Sequence, residues 1–330
     1  MKVLITGGAG YIGSLLSGVL LQRGYSVLVI DDLLFGGDSL LAYLTHPNFS
    51  FQKANVTEKQ PIVQFFKGVD YVIHLAALVG FPACQQVGPK VAWLYNLQAT
   101  KNVYELAREN NAKRFVFAST YSNYGIAEGD TPVTEESPLN PQSLYAETKI
   151  ASEQYLIDEG KKSDTIPVVF RFATLFGLSP RTRFDLIINQ FVLEAIERRH
   201  LIIYQKNYNR SFVHIRDIAK ALVMAIETDL SKAGGQIFNV GSNRGNFTKE
   251  EIIGMIRKYV SGLTIEYKDL TFGGDMRDIR VSFDKIEKVL GFKAEVTVEE
   301  GIKELVDAIQ SKFLFDPHSL RNKNAQFIVQ

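Results

Sequence analysis

Cysteine is nearly missing from this chain of 330 residues. Cys84 stands alone, so no internal disulfide can form, which fits a reducing compartment. The five histidines are scattered, so no metal-binding constellation and no metal are expected. Long apolar runs are also absent: nothing approaches the roughly 18 residues of a membrane span, so no membrane partner is expected. The first residues already read as a strand and leave no room for a signal peptide. Excess charge is missing too, with 37 Lys and Arg against 36 Asp and Glu. Nothing in that balance attracts nucleic acid or an anionic surface. Internal repeats, low-complexity stretches and a Gly/Ser-rich linker do not occur. The reading is a cytoplasmic protein whose 46% hydrophobic content can bury a large core.

What the chain does have begins at once. Val3-Leu4-Ile5 leads into Thr6-Gly7-Gly8-Ala9-Gly10-Tyr11-Ile12-Gly13, which opens an amphipathic stretch reaching Arg23. Strand, glycine turn and helix follow one another, with the helix N-terminus aimed above the turn. Gly7 or Gly8 permits the turn, Gly10 lets a pyrophosphate approach the backbone, and Gly13 lets helix and strand pack closely. Alone, such a string is an ordinary strand-to-helix turn. A second apolar strand, Val27-Leu28-Val29-Ile30, ends in Asp31 about 20 residues on, where a carboxylate can accept both ribose hydroxyls. Asp31 would repel a 2′-phosphate, so NAD is expected rather than NADP.

Apolar runs then alternate with helical periodicity, the pattern of an α/β, Rossmann-type doubly wound parallel sheet. Strands are expected at Val3 to Thr6, Ser26 to Ile30, Ser50 to Lys53, Tyr71 to Leu75, Arg114 to Ala118 and Val168 to Phe172. Helices are expected at Tyr95 to Asn110 and Tyr145 to Glu159. Two late helices are announced by the capping boxes Thr248-Lys249-Glu250-Glu251 and Thr297-Val298-Glu299-Glu300. The alternation loosens after Phe172. Residues 1–170 are therefore assigned to a dinucleotide-binding lobe and 171–330 mainly to a smaller, interleaved substrate lobe.

In such sheets ligands bind beyond the C-terminal strand ends. The fourth strand is followed by His74-Leu75-Ala76-Ala77-Leu78, small enough for a cofactor to lie against backbone. The fifth is followed by Ser119-Thr120-Tyr121-Ser122-Asn123-Tyr124-Gly125, rich in hydroxyls. Tyr145 and Lys149, four apart, share one helix face. An ammonium beside a phenol favours the phenolate, as a general base requires. By itself the pair is an unremarkable solvated helix face; coupled to the glycine turn and hydroxyl cluster it points to chemistry.

With these residues the chain resembles an extended short-chain dehydrogenase/reductase of the NAD-dependent nucleotide-sugar epimerase/dehydratase family. Thr6 to Gly13, Asp31, His74 to Ala77, Asn96, Phe117 to Gly125, Tyr145 to Lys149, Phe170 to Phe172, Arg210 to Asp217 and Leu290-Gly291-Phe292 carry the likeness. It extends from Met1 to about Gln310. The resemblance implies Thr120 as catalytic hydroxyl, Tyr145 as base and Lys149 on the nicotinamide ribose. It implies a cofactor lying against Gly7, Gly10, Tyr11, Ile12, Gly13, Asp31, Asp32, Asn55, Val56, Leu75, Ala76, Ala77, Asn96, Ala118 and Phe172. Asn55 stands where many relatives carry an Asp on the adenine amine; an amide can still accept that hydrogen bond. The implied substrate is a nucleotide-diphosphate sugar, oxidised at C4. Val79, Thr120, Tyr121, Ser122 and Thr174 would meet the sugar, and Asn189 its phosphate. Arg181, Arg183, Arg210 and Arg277 are candidates for the diphosphate, which needs bidentate donors. The helices Tyr95 to Asn110 and Tyr145 to Glu159 would form a homodimer interface through Leu97, Val103, Ala151, Tyr155 and Leu156.

Members of the family that dehydrate sugars carry two carboxyl groups where this chain has Tyr121 and Ser122, so 4,6-dehydration is disfavoured. Thr174 replaces a frequent Asn, which suggests a non-standard sugar. Residues 77–84 and 179–186 also resemble a branch that includes nucleotide-heptose 4-dehydrogenases. Epimerase and net C4 dehydrogenase or ketoreductase therefore remain open. An NAD-binding sensor without turnover would be expected to lose Thr120, Tyr145 or Lys149. His214 and Cys84 are read as structural.

Overall fold

Uninterrupted apolar runs build strands buried on both faces, and period-two alternation then sorts their side chains between two cores. The computed structural model describes residues 1–126, 131–268, 278–314 and 316–324. The strands are β1 (Lys2–Thr6), β2 (Ser26–Asp31), β3 (Phe49–Lys53), β4 (Tyr71–His74), β5 (Arg114–Thr120), β6 (Ile166–Phe172), β7 (Thr174–Phe176), β8 (His200–Tyr204), β9 (Asn209–His214), β10 (Gln236–Val240), β11 (Asn246–Thr248) and β12 (Thr264–Lys268). Seven of them form one sheet in the order β10-β6-β5-β4-β1-β2-β3. All its pairings are parallel. The order reverses between β1 and β4, and that switch point opens a crevice above the strand ends.

Helices cover both faces. They are α1 (Tyr11–Gln22), α2 (Phe81–Trp93), α3 (Ala99–Glu109), α4 (Leu144–Gly160), α5 (Ile187–Arg198), α6 (Ile215–Glu227), α7 (Leu230–Ala233), α8 (Lys249–Arg257), α9 (Asp284–Leu290) and α10 (Val298–Gln310). Val3, Ile5, Val27 and Val29 point into one core with Leu16 and Leu20 of α1 and Leu222 and Ile226 of α6. Leu4, Leu28 and Ile30 point into the other with Val103 and Leu106 of α3 and Leu156 of α4. A third cluster joins α5, α8 and α10 through Ile188, Ile256 and Leu305. Both expected capping boxes are formed, at Thr248 with Glu251 and at Thr297 with Glu300.

The structure departs from the sequence expectations in three places. The seventh strand of the main sheet, β10, comes from far beyond residue 170 and pairs with β6. The stretch expected as one helix from Tyr95 starts earlier: α2 is two helices meeting at Gly88 (φ 78°) with Pro89 opening the second, and a π turn, Leu94–Gln98, leads into α3. Val103 and Leu156, assigned to a dimer interface, are fully buried against the sheet, because they sit on the inward stripes of α3 and α4.

A buried polar network joins β5, β6, β10 and α4. Arg171 on β6 donates to both carboxylate oxygens of Glu153 on α4, Nε at 3.0 and 3.1 Å and Nη2 at 2.6 Å. Glu153 also accepts from Ser119 Oγ and from Asn123 Nδ2. Arg171 Nη1 donates to the Tyr124 hydroxyl, which donates to Asn239 on β10. The side chains of the ion pair are each 4% exposed. Removing one partner strands the other charge in a water-free site, so Glu153→Ala is expected to cost about 3–5 kcal/mol of stability, read by urea denaturation. A loss below about 1 kcal/mol, the size typical of exposed pairs, would show that the network does not hold these elements together.

Candidate active site

The glycine turn shapes one end of the crevice. Gly7 has φ +74°, and a Cβ there would lie 2.7 Å from Ala76 N; one on Gly13 would lie 2.5 Å from Gly7 O. Gly7 is therefore the turn glycine, whereas a Cβ on Gly8 would strike Val29 of β2 at 2.6 Å. Gly10 caps α1 without any side-chain bond, which leaves the first helix amides to a ligand. At the end of β2, Asp31 accepts from the backbone N–H of Ala9 at 3.0 Å and of Leu33 at 2.8 Å. Burial raises the Asp31 pKa and these two N–H groups oppose the rise.

One cavity of about 440 Å³ runs from this end to the ends of β5 and β6. Gly7, Gly10, Tyr11, Ile12, Gly13, Asp31, Asp32, Asn55, Val56, Leu75, Ala76, Ala77, Ala118 and Phe172 all line it. So do Val79, Thr120, Tyr121, Ser122, Tyr145, Lys149, Thr174, Arg181 and Arg183. An uncapped helix start above close-packed glycines, with a carboxylate at the next strand end, fits the diphosphate and ribose of a dinucleotide.

At the reacting end Ser143 caps α4 by accepting from Ala146 N–H at 3.2 Å, which starts the helix one turn before Lys149. Lys149 is 3% exposed, and its Nζ donates to Ala118 O at 2.8 Å. The ammonium lies 4.5 Å from the Phe117 ring centroid and 6.0 Å from that of Tyr145. Burial pulls its pKa down to about 8. Thr120 donates to Ser122 Oγ at 2.9 Å and accepts from Ser122 N–H at 3.1 Å. The Tyr121 hydroxyl pairs with Thr174 Oγ1 at 2.8 Å. His74 bridges Thr6 and Thr100 beneath the site. Burial, reinforced by the Lys149 charge, pushes its pKa down to about 3, so the imidazole is neutral.

Four expected contacts are placed differently. Asn96 does not line the cavity; its amide staples the backbone of Leu78 at 2.8 and 3.1 Å and donates to Thr148 at 3.0 Å. Asn189 is buried and holds Gly177 and the Arg183 carbonyl. Arg210 is fully buried in β9 and donates to Asn209 O. Asn96 and Asn189 are polar side chains that the fold turns inward to satisfy backbone. Asn55 does line the cavity, but its Oδ1 accepts from Thr57 N–H and Oγ1, at 2.9 and 2.8 Å. Arg277 lies outside the described residues. His214 caps α6 by accepting from Arg216 N–H, and Cys84 is buried.

Further lining residues come from the loop after β7. Tyr11 OH donates to Gly177 O at 2.8 Å and Ser179 Oγ to Tyr11 O at 2.6 Å, so the 177–186 loop is pinned to the start of α1. Arg183 is held bidentately by Asp185 at 3.0 and 2.8 Å. Arg181 lies 3.9 Å over the Phe35 ring. Burial, helped by the Arg183 charge, lowers its pKa to about 9. Sequence reasoning did not single out Glu153, Phe35 or Asn324, a further lining residue; their pairing involves sequence separations that carry no local signal.

A family model described as "NAD dependent epimerase/dehydratase family" matches residues 3–241. A protein of Methanocaldococcus jannaschii named "Putative UDP-glucose 4-epimerase" is 27% identical over 92% of this chain and 97% of its own length. The UDP-glucose 4-epimerase of Thermotoga maritima, solved with UDP-glucose, superposes with a TM-score of 0.84 at 25% identity, covering 95% of this chain and all of that one. A UDP-glucuronic acid 4-epimerase from Bacillus cereus, solved with UDP-glucuronic acid and NAD, gives 0.84 at 25% identity over 94% of this chain and all of that one. Parallel sheet, glycine cradle and matching profile converge: the chain is an NAD-dependent enzyme and belongs to the NAD dependent epimerase/dehydratase family.

Proposed function

We propose that the protein interconverts nucleotide-diphosphate sugars epimeric at C4, through a 4-keto sugar. The observation that carries this reading is the chemistry of the cavity wall. Among the described residues lining it, the carboxylates are Asp31 and Asp32, both at the adenosine end, remote from Tyr145. Elimination of water across C5 and C6 needs an acid and a base beside the sugar, and carboxyl groups suit both tasks near neutral pH. Here the corresponding places hold Tyr121, bonded to Thr174, and Ser122, bonded to Thr120. Several relatives and neighbours are named 4-epimerases, while others of the same fold are named dTDP-glucose 4,6-dehydratase, so the cavity wall and not the names separates the two reactions.

NAD, when bound, supplies the hydride acceptor and donor. Tyr145 would take the proton of the C4 hydroxyl, and Thr120 would hydrogen-bond the oxygen as it becomes a carbonyl. Lys149 acts by charge: its buried ammonium favours the Tyr145 phenolate and, held by Ala118 O, keeps a fixed place. Arg183, clamped by Asp185, offers a preformed cation to the substrate diphosphate. Net C4 dehydrogenation would share the first half of this sequence and differ in where the hydride ends.

Four measurements test the reading. Tyr145→Phe is expected to keep fold and NAD but lose about 10²-fold or more in turnover; a near-normal rate would remove Tyr145 from its role. Incubation with UDP-, dTDP-, CDP- and GDP-sugars should give a product of unchanged mass. Loss of water would mean dehydration and contradict the assignment, whereas loss of two hydrogens would mean net dehydrogenation. Because Lys149 is cationic below about pH 8 and neutral above it, kcat/KM should fall as pH rises through that value. Lys149→Arg, which stays protonated, should remove that falling limb, and an unchanged limb would assign it to another group. A homodimer through the π turn before α3 and the outer face of α4 would use the half-buried Leu97, Ala151 and Tyr155; light scattering that reports a monomer at micromolar concentration would reject it.

A further inference from the structure

The chain does not end with its last long helix. Beyond α10 it turns back, and residues 316–324 lie across the loop after β2 and the 181–185 loop. Arg321 Nη1 donates to Asp38 at 2.8 Å, and the Arg321 carbonyl accepts from Arg181 Nε at 2.8 Å. The Asn322 carbonyl accepts from Phe184 N–H at 2.8 Å. Asn324 N–H donates to Asp185 at 3.0 Å, the carboxylate that also clamps Arg183.

Asn324 itself lines the cavity while being 8% exposed. Its Oδ1 is buried without a hydrogen-bond partner. Arg181, 6% exposed and lining the same cavity, likewise has a buried Nη2 with no partner. A buried donor or acceptor without a partner loses its hydration and gains nothing in return, so two on one loop-and-tail junction call for a ligand that offers both an acceptor and a donor. Ribose hydroxyls do both, and a phosphate oxygen accepts from a guanidinium. Position narrows the choice. Arg181 stacks on Phe35, four residues past Asp31, and the Asp31 charge acts on it through space. The junction therefore adjoins the stretch between the adenosine ribose and the start of α1.

We propose that residues 316–324 form a wall of the dinucleotide site, with Arg181 and Asn324 contacting the ribose-diphosphate stretch of bound NAD. Arg181 donates to an oxygen of that stretch, and the Asn324 amide accepts from a ribose hydroxyl. The tail thereby ties cofactor retention to the clamp on Arg183. This rests on the dinucleotide site and not on the reaction, so its failure would leave the C4 chemistry standing.

Calorimetric titration of the full-length, cofactor-free protein with NAD⁺ tests it, with uridine diphosphate titrated in parallel. Asn324→Ala should weaken NAD⁺ binding about tenfold and Arg181→Ala about thirtyfold or more, with Arg181→Lys recovering part of that loss. Binding of uridine diphosphate should stay as in the wild type, and the melting temperature of the cofactor-free protein should stay as in the wild type for Asn324→Ala, whose side-chain Oδ1 holds no partner. NAD⁺ should also slow tryptic cleavage after Arg321 and Lys323. Unchanged NAD⁺ affinity in Asn324→Ala would overturn the proposal, whether or not melting falls, because the tail would then be a structural strap alone. A loss confined to uridine diphosphate would overturn it by assigning the junction to the substrate.

Discussion

A buried ion pair, Glu153 with Arg171, sets the relative positions on which the site depends. Glu153 lies on α4, one turn beyond Lys149 and two beyond Tyr145; Arg171 lies on β6, just before Phe172. The same carboxylate receives Ser119 and Asn123, which flank Thr120 and the hydroxyl cluster. The proposed base, the proposed catalytic hydroxyl and the cofactor wall come from three separate elements, and this network ties all three together. Apolar packing alone would tolerate sliding of α4 along the sheet; a buried hydrogen-bonded network of fixed directions does not.

The second constraint is the burial of cations in a chain of almost no net charge. Lys149 and Arg181 both lose proton affinity on burial, which measures the desolvation they carry. Arg183 keeps its charge because Asp185 shares its site. These groups line one cavity that is otherwise largely apolar, where Coulomb interactions are stronger than in water. Anionic ligands recover the desolvation cost, so selectivity for diphosphate-bearing molecules follows from positions and not from overall charge.

Local patterns were legible in the sequence. The glycine turn, the acidic end of β2, the Tyr145 and Lys149 spacing and both capping boxes depend on residues a few positions apart, and all are found in the structure as read. Long-range geometry was not. Nothing near residue 236 says that β10 will extend the first sheet, and nothing near Asn324 says that the tail returns to the cavity. Asn96, Asn189 and Arg210 show a subtler gap. Their types suit ligand binding, but buried backbone groups compete for the same hydrogen bonds, and the amides of Asn96 and Asn189 go to backbone while Arg210 is enclosed in β9. Val103 and Leu156 erred for the converse reason: an amphipathic stripe tells that a face is covered, not whether sheet or partner covers it.

The fate of the C4 hydrogen tests the proposed chemistry most directly. A nucleotide sugar deuterated at C4, incubated with the NAD-loaded protein and followed by NMR and mass spectrometry, should end as a mixture of C4 epimers with the label still on C4. Label found on C6 together with loss of water would contradict return of the hydride to C4, and an epimerised product that has exchanged its label for solvent hydrogen would contradict hydride transfer between C4 and NAD guided by Tyr145, Thr120 and Lys149.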